Sequence, residues 1–211
     1  MRHGEVAYFV DGRPVHPETV PLTDAGRGQA VAAREALSGV ELDLVLTSDL
    51  PRTQETALIV APGSKPETWP ELTEWRGGRL LDVPEEELER AFVGALTTSE
   101  EDARFLGGET LRSVWDRVIP AVETLLAREW DTALAVLHGG VNRAIISYAL
   151  TGGRTYLGRF EQAPGCINVL DVGREDWVVR TVNYIPYEPL HPARGTTMEQ
   201  LWEQFRAFRE L

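Results

Sequence analysis

The chain has 211 residues, 43% of them hydrophobic, enough for a sizeable core in one α/β domain of ordinary size. Its formal net charge is −12 and it has no Lys/Arg run, which argues against nucleic acid as a partner and means that any phosphate site must be a local cluster of cations. One cysteine, Cys166, excludes an internal disulfide, and neither a membrane-length apolar run nor a signal-peptide core is present, so a soluble, cytoplasmic protein is expected.

Residues 11–21 carry Gly12, Pro14, Pro17 and Pro21 and read as a loop. Thr23 or Asp24 caps a predicted helix that runs to about Leu37, weakened at its start by Gly26 and Gly28. The apolar run Leu42–Thr47 predicts a buried strand, and Pro51 opens a helix to about Val60, in the first turn where proline is tolerated. Residues 62–83 are rich in Pro and Gly and irregular. Pro84–Leu96 begins with acids that suit a helix dipole. Glu109–Trp130 is a long predicted helix with Leu111, Val114, Val118, Val122 and Leu125 on one stripe and a kink expected at Pro120. Thr132–Leu137 reads as a second buried strand, followed at Gly139-Gly140 by a helix to about Leu150. Cys166–Val172 and Trp177–Tyr184 alternate like paired strands about Gly173. Residues 196–211 form a polar terminal helix with Leu201, Phe205 and Phe208 on one side. This order predicts an α/β fold of three layers, with a mostly parallel central sheet and helices on both faces. Ligands of such sheets bind at the carboxyl ends of strands.

Four segments carry candidate chemistry. Arg2-His3-Gly4-Glu5 sets a cation beside an imidazole, with a glycine that permits close backbone approach. In Ser48-Asp49-Leu50-Pro51-Arg52-Thr53, Arg52 lies in a helix first turn, where a cation opposes the dipole unless an anion is shared with the free N–H groups. His138-Gly139-Gly140 places a histidine at a strand-to-helix switch kept open by glycines. Glu74, beside Trp75, is a carboxyl whose pKa an apolar setting would raise toward that of a general acid. His16 and His191 each adjoin a proline in polar loops and read as exposed. No His/Cys spacing suits a metal ion.

Taken in order, Arg-His-Gly-Glu, Pro-Leu-Thr with Gly26 and Gln29-Ala30, Ser-x-Leu-x-Arg-Thr-x-x-Thr-Ala, Leu-x-Glu, Gly107-Gly108-Glu109-Thr110 and His-Gly-Gly resemble the histidine phosphatase superfamily over roughly residues 1–185. The nearest likeness is to the phosphoglycerate mutase-like branch, of the broad-range phosphatase type. The resemblance implies residues 1–211 as one catalytic domain that hydrolyses a small phosphorylated metabolite through a phosphohistidine, without cofactor or metal. It implies His3 as nucleophile and Arg2, Arg52, His138 and the Gly139 N–H as phosphate ligands. Glu74 is implied as the acid that protonates the leaving oxygen. Gly4 and Glu109 are lower-ranked site residues, and Glu5 and Glu109 compete with Glu74 for the acid role.

Tyr8-Phe9 stand where many relatives have an aromatic-Asn pair, which predicts a more apolar pocket floor. Glu74-Trp75-Arg76-Gly77-Gly78 departs from the Glu-Arg-His-Tyr-Gly of mutases. A phosphoglycerate-type mutase and a catalytically silent phosphate-binding protein are the alternatives. Trp69, Trp75 and Phe92 are candidates to line a pocket for an apolar leaving group, with core packing as the other reading. His3 is expected at the carboxyl end of a central parallel strand, yet only Met1 and Arg2 precede it, against the ~5–6 residues of a strand. The natural protein is therefore expected to begin about 5–8 residues upstream, with an apolar strand.

Overall fold

The computed structural model describes residues 1–10, 13–97, 100–173, 176–188, 190 and 195–209. Its centre is a parallel sheet in the order β4 (Glu67–Thr68), β3 (Leu44–Thr47), β5 (Ala133–Val136). Beyond β5 the segment Met1–His3 continues the pattern. Leu137 N–H donates to Met1 O, His3 N–H donates to Leu137 O, and Arg2 bridges Leu137 in parallel. On its far side Arg2 N–H donates to Cys166 O and His3 O accepts from Gly165 N–H. From there the chain enters an antiparallel pair, β6 (Ile167–Val172) and β7 (Trp177–Tyr184). A small hairpin pairs β1 (Phe9–Val10) with β2 (Arg13–Pro14).

All four residues of β3 are buried, as a strand covered on both faces requires. The covering helices sort by the two-residue period of β5. Leu134 and Val136 pack with Ala30, Ala33, Ala57 and Val60, from α1 (Asp24–Ala36) and α2 (Pro51–Val60). Ala135 and Leu137 face Leu111, Val114, Val118 and Val141, from α4 (Leu111–Leu126) and α5 (Gly139–Thr151). Helices thus lie on both faces of a parallel sheet, as the sequence order predicts. A third cluster joins α3 (Leu88–Phe92) to α6 (Thr197–Arg209) through Leu88, Phe92, Met198 and Phe205. Among the described residues no helix is long and apolar enough to cross a membrane.

Several boundaries differ from expectation. The helix expected over Pro84–Leu96 is a 3-10 turn, Glu85–Glu87, followed by the five residues of α3. Its two core residues, Leu88 and Phe92, make one short stripe, and Gly94, at φ 86°, carries the chain into the left-handed region. Part of the expected loop over 11–21 is the strand β2, and the irregular stretch 62–83 contains β4 and the 3-10 turns Pro70–Leu72 and Leu80–Asp82. The strand expected from Leu42 begins at Leu44, and that expected from Cys166 begins at Ile167. The long helix starts at Leu111 because Thr110 caps it, accepting from Ser113 N–H. It ends at Leu126, short of Trp130, and runs through Pro120 without a break. Pro120 is exposed, so water can solvate the carbonyl that lacks its N–H partner. Thr23 rather than Asp24 is the cap of α1, accepting from Gly26 N–H at 3.0 Å.

Candidate active site

The carboxyl ends of Met1–His3, β3 and β5 converge, and each delivers a candidate group. His3 is 2% exposed. Its Nδ1 lies 2.6 Å from Gly4 O. A carbonyl only accepts, so Nδ1 carries the proton and Nε2 keeps a lone pair. Arg52 Nε–H points at that lone pair from 3.2 Å. Burial, then the Arg52 and Arg2 guanidinium groups, hold the His3 pKa well below the ordinary imidazole value. The ring is therefore neutral at pH 7.

The backbone around His3 is clamped by α1 and α2. Gly4 N–H donates to Thr56 Oγ1, whose own hydroxyl donates to Arg52 O at 2.7 Å. Gly4 and Gly26 meet backbone to backbone, and a Cβ on Gly4 would fall 2.3 Å from Gly26 O. Nothing larger than glycine fits there. Glu5, by contrast, has its carboxylate tied to the Thr23 hydroxyl at 2.8 Å.

Arg52 occupies the first turn of α2 and is buried, held by a bond from its Nη1 to Pro17 O at 2.6 Å. Arg2 is anchored through Nη1 to Gln162 O and Thr197 Oγ1. Its Nε is buried with no hydrogen-bond partner among the described residues. His138 is fully buried, and its ring centroid is 5.2 Å from that of His3. Its Nε2 is 2.7 Å from Ser48 Oγ, while Nδ1 is buried without a partner among the described residues. Ser48 Oγ accepts from Leu50 N–H and lies 3.1 Å from Thr53 Oγ1; when its hydroxyl proton goes to Nε2, the His138 proton sits on Nδ1. Burial, with His3 and the arginines around it, holds the His138 pKa well below the ordinary value too.

Unpartnered buried donors are costly. Two unpartnered nitrogens, Arg2 Nε and His138 Nδ1, within one group of buried cations and imidazoles give an arrangement that can receive an anion. Among the described residues no cluster of His, Cys, Asp and Glu could hold a metal ion.

Glu74 stands at the edge of this place, at the start of α5. Its Oε1 accepts from Trp75 N–H, Gly140 N–H and Val141 N–H at 2.9–3.3 Å, and its Oε2 from Gly140 N–H at 3.2 Å. The carboxyl thus rests on helix N-terminal donors and not in the apolar setting expected from Trp75. That indole turns into the core, 2% exposed, and donates Nε1–H to Glu109 O.

Glu109 is engaged differently. Both its oxygens bind Arg117, and it also accepts from Arg76 N–H and the Ser113 hydroxyl. Burial works to raise its pKa, but the Arg117, Arg76 and Ser113 bonds outweigh it and leave the pKa lowered. Arg117 completes the brace by donating to the carbonyls of Glu71, Thr73 and Glu74. One ion pair therefore holds the loop that carries Glu74.

His3, Arg2, Arg52, His138, Gly139 and Glu74 are brought together, with Gly4 behind His3. His16 is exposed, as expected, and His191 lies outside the described residues. Ser48, Thr53 and Thr56 also take part, all three within the Ser-x-Leu-x-Arg-Thr-x-x-Thr stretch, where only their place in that pattern marks them. Arg117, Gln162 and Arg143 take part with no local sequence signal. Arg143 is buried and binds Gly139 O, Gly158 O and Phe160 O. Cys166 is fully buried, with its thiol pKa pushed up by burial.

Comparison with known proteins adds three findings. The family described as histidine phosphatase superfamily (branch 1) matches residues 1–185. The glucosyl-3-phosphoglycerate phosphatase of Mycolicibacterium vanbaalenii is 32% identical over 71% of this chain and 72% of its own length, and the metal-independent phosphoserine phosphatase of Arabidopsis thaliana is 30% identical over 85% and 77%. The crystal structure of the α-ribazole phosphatase from Shigella flexneri superposes with a TM-score of 0.71 at 27% identity, covering 87% of this chain and 94% of that one.

Proposed function

This chain belongs to the histidine phosphatase superfamily (branch 1), and from that membership we propose that it hydrolyses a phosphate monoester of a small metabolite through a phosphohistidine on His3. It is a phosphatase of the type its relatives represent. The observation that carries the mechanism is the fixed state of His3: proton on Nδ1 toward Gly4 O, lone pair on Nε2 among cations.

In the first step the lone pair of Nε2 forms a P–N bond as the P–O bond to the leaving group breaks. Arg52 Nε–H moves from Nε2 to a phosphoryl oxygen as attack begins. Arg2 Nε–H, His138 Nδ1–H and the Gly139 N–H take the remaining charge. Fixed donors of this kind supply most of the catalysis in phosphoryl transfer. Glu74 gives a proton to the leaving oxygen. In the second step its carboxylate takes a proton from water, which attacks phosphorus, breaks the P–N bond and releases inorganic phosphate. Arginines supply the positive charge, so activity is expected to survive EDTA and to be inhibited by vanadate. A cytoplasmic place and the lack of a nucleic-acid partner complete the proposal, supported by the lone free cysteine and the −12 charge.

The test is phosphate release from p-nitrophenyl phosphate by the wild type and His3→Ala, with acid-labile label on His3 after quenching. Activity retained in His3→Ala overturns the mechanism. Conversion of 3-phosphoglycerate to 2-phosphoglycerate, instead of free phosphate, replaces hydrolysis by a mutase reaction.

A further inference from the structure

The phosphate place opens into a cleft of about 1550 Å³, larger than the ~300–1,000 Å³ of an ordinary small-molecule pocket. Arg2, Arg52, Glu74, Gly139 and Gly140 are among the residues that line it. Away from them the walls are strongly apolar. The hairpin gives Phe9, the segment around α3 gives Leu80, Val83, Leu88 and Phe92, the turn at Phe105–Gly107 gives Phe105 and Leu106, and α6 forms a further wall. From α6, Met198, Leu201, Phe205 and Phe208 line the cleft. Phe92 stacks on Phe205 at 5.3 Å between ring centroids, and Phe9 meets Phe208 at 5.8 Å. Charged side chains also border the cleft, and two of them, Arg209 and Glu85, pair with each other at 3.1 Å.

Two features tie α6 to the chemistry. Thr197, its first residue, has its hydroxyl within reach of both Arg2 Nη1 at 3.4 Å and Glu161 Oε1 at 3.2 Å. And α6 lies wholly outside residues 1–185, the part that matches the family. The wall it builds therefore comes from outside the segment that the family match covers.

We propose that this cleft is a leaving-group site for a phosphate monoester of a bulky apolar alcohol, an alkyl chain of about ten carbons or a fused ring system, and that α6 is the element that selects it. The inference rests on the phosphatase reading above. Phosphate binds among Arg2, Arg52 and His138, and the ester oxygen meets Glu74. The carbon body lies in the cleft along the half-buried Phe9, Leu106, Leu201 and Phe208, beside the packed α3–α6 cluster, where each buried methylene strengthens binding by up to about fourfold. A small hydrophilic ester fills the phosphate end and leaves the apolar walls wet, so it gains nothing from them.

The experiment measures kcat/KM on the full chain for ethyl, hexyl and decyl phosphate below their micelle concentrations, with glycerol 3-phosphate and p-nitrophenyl phosphate as references. The wild type is expected to favour decyl over ethyl phosphate by about a hundredfold or more, well under the ceiling set by full burial. Leu201→Ser/Phe208→Ser, two half-buried wall residues remote from the phosphate ligands, is expected to lower the decyl value at least about tenfold and to leave ethyl phosphate within about twofold. Hydrolysis with a flat or falling chain-length dependence, or a preference for glycerol 3-phosphate, overturns the substrate class alone. An unchanged decyl-to-ethyl ratio in the double variant overturns the role of α6. If no ester is hydrolysed, p-nitrophenyl phosphate included, the phosphatase reading falls and this inference with it.

Discussion

Replacing Arg117 by methionine tests whether an ion pair away from phosphorus positions the general acid. Arg117 spends its donors on five acceptors: both Glu109 oxygens at 2.9 and 3.0 Å, and the carbonyls of Glu71, Thr73 and Glu74 at 2.7–3.1 Å. The two side chains are only 17% and 10% exposed. Removing one partner of a buried pair costs about 3–5 kcal/mol, because the other charge is left uncompensated. Residual water at both groups recovers part of this, so a loss of about 2–4 kcal/mol is expected for Arg117→Met. For a chain of this size that lowers Tm by roughly 4–16 °C. Adding Glu109→Gln removes the stranded charge and should return more than about 1 kcal/mol, a coupling that a double-mutant cycle reads directly. The loop of Glu74 also loses three anchors, so kcat/KM for alkyl esters should fall about tenfold further than for p-nitrophenyl phosphate, whose leaving group scarcely needs a proton. A Tm within about 2 °C of wild type, with the leaving-group dependence unchanged, refutes the brace.

Three further outcomes are expected. Glu74→Gln should depress turnover of alkyl esters by about 10²–10⁴ and of p-nitrophenyl phosphate far less; if Glu109→Gln behaves this way and Glu74→Gln does not, the acid is Glu109. Gly4→Ala drives a Cβ into Gly26 O, so it should cost about 1–3 kcal/mol by thermal unfolding and displace His3, and a variant as stable and active as wild type removes the close-packing argument. His3 and His138 both have folded pKa values well below 6.5, so in acid the unfolded chain takes up protons that the folded one refuses. Their contribution to unfolding free energy is complete above about pH 6.5 and falls as pH drops below it, by up to about 1.4 kcal/mol per pH unit for each ring. Urea midpoints at pH 7, 6 and 5 should therefore fall more steeply in wild type than in His138→Asn, and equal slopes would contradict the buried neutral state.

Much of the site was legible in sequence because its signals are local. Arg52 follows a proline at a strand end, His138 precedes two glycines at another, and Gly4 follows His3. Each reads from its own few neighbours, through hydrophobic period and turn chemistry. The layer order was legible for the same reason: buried strands and amphipathic helices declare themselves within a single element. Partners distant in the chain do not. Ser48 meets His138 across 90 positions and Arg117 meets Glu74 across 43, and neither spacing has a period that a sequence could display. The seat of Glu74 on the N–H groups of α5 also comes from packing, since a carboxylate beside a tryptophan reads the same whether the indole or the carboxyl turns inward. The helix expected over Pro84–Leu96 shortened because Leu88 and Phe92 gain more by packing on α6 than the rest of that polar stretch gains by propensity, which is weak against tertiary burial. Local residue order thus determined which groups stand at the strand ends. Only the packing of distant elements decided which of them touch, which buried nitrogens have no partner among the described residues, and that α6 lines one side of the cleft.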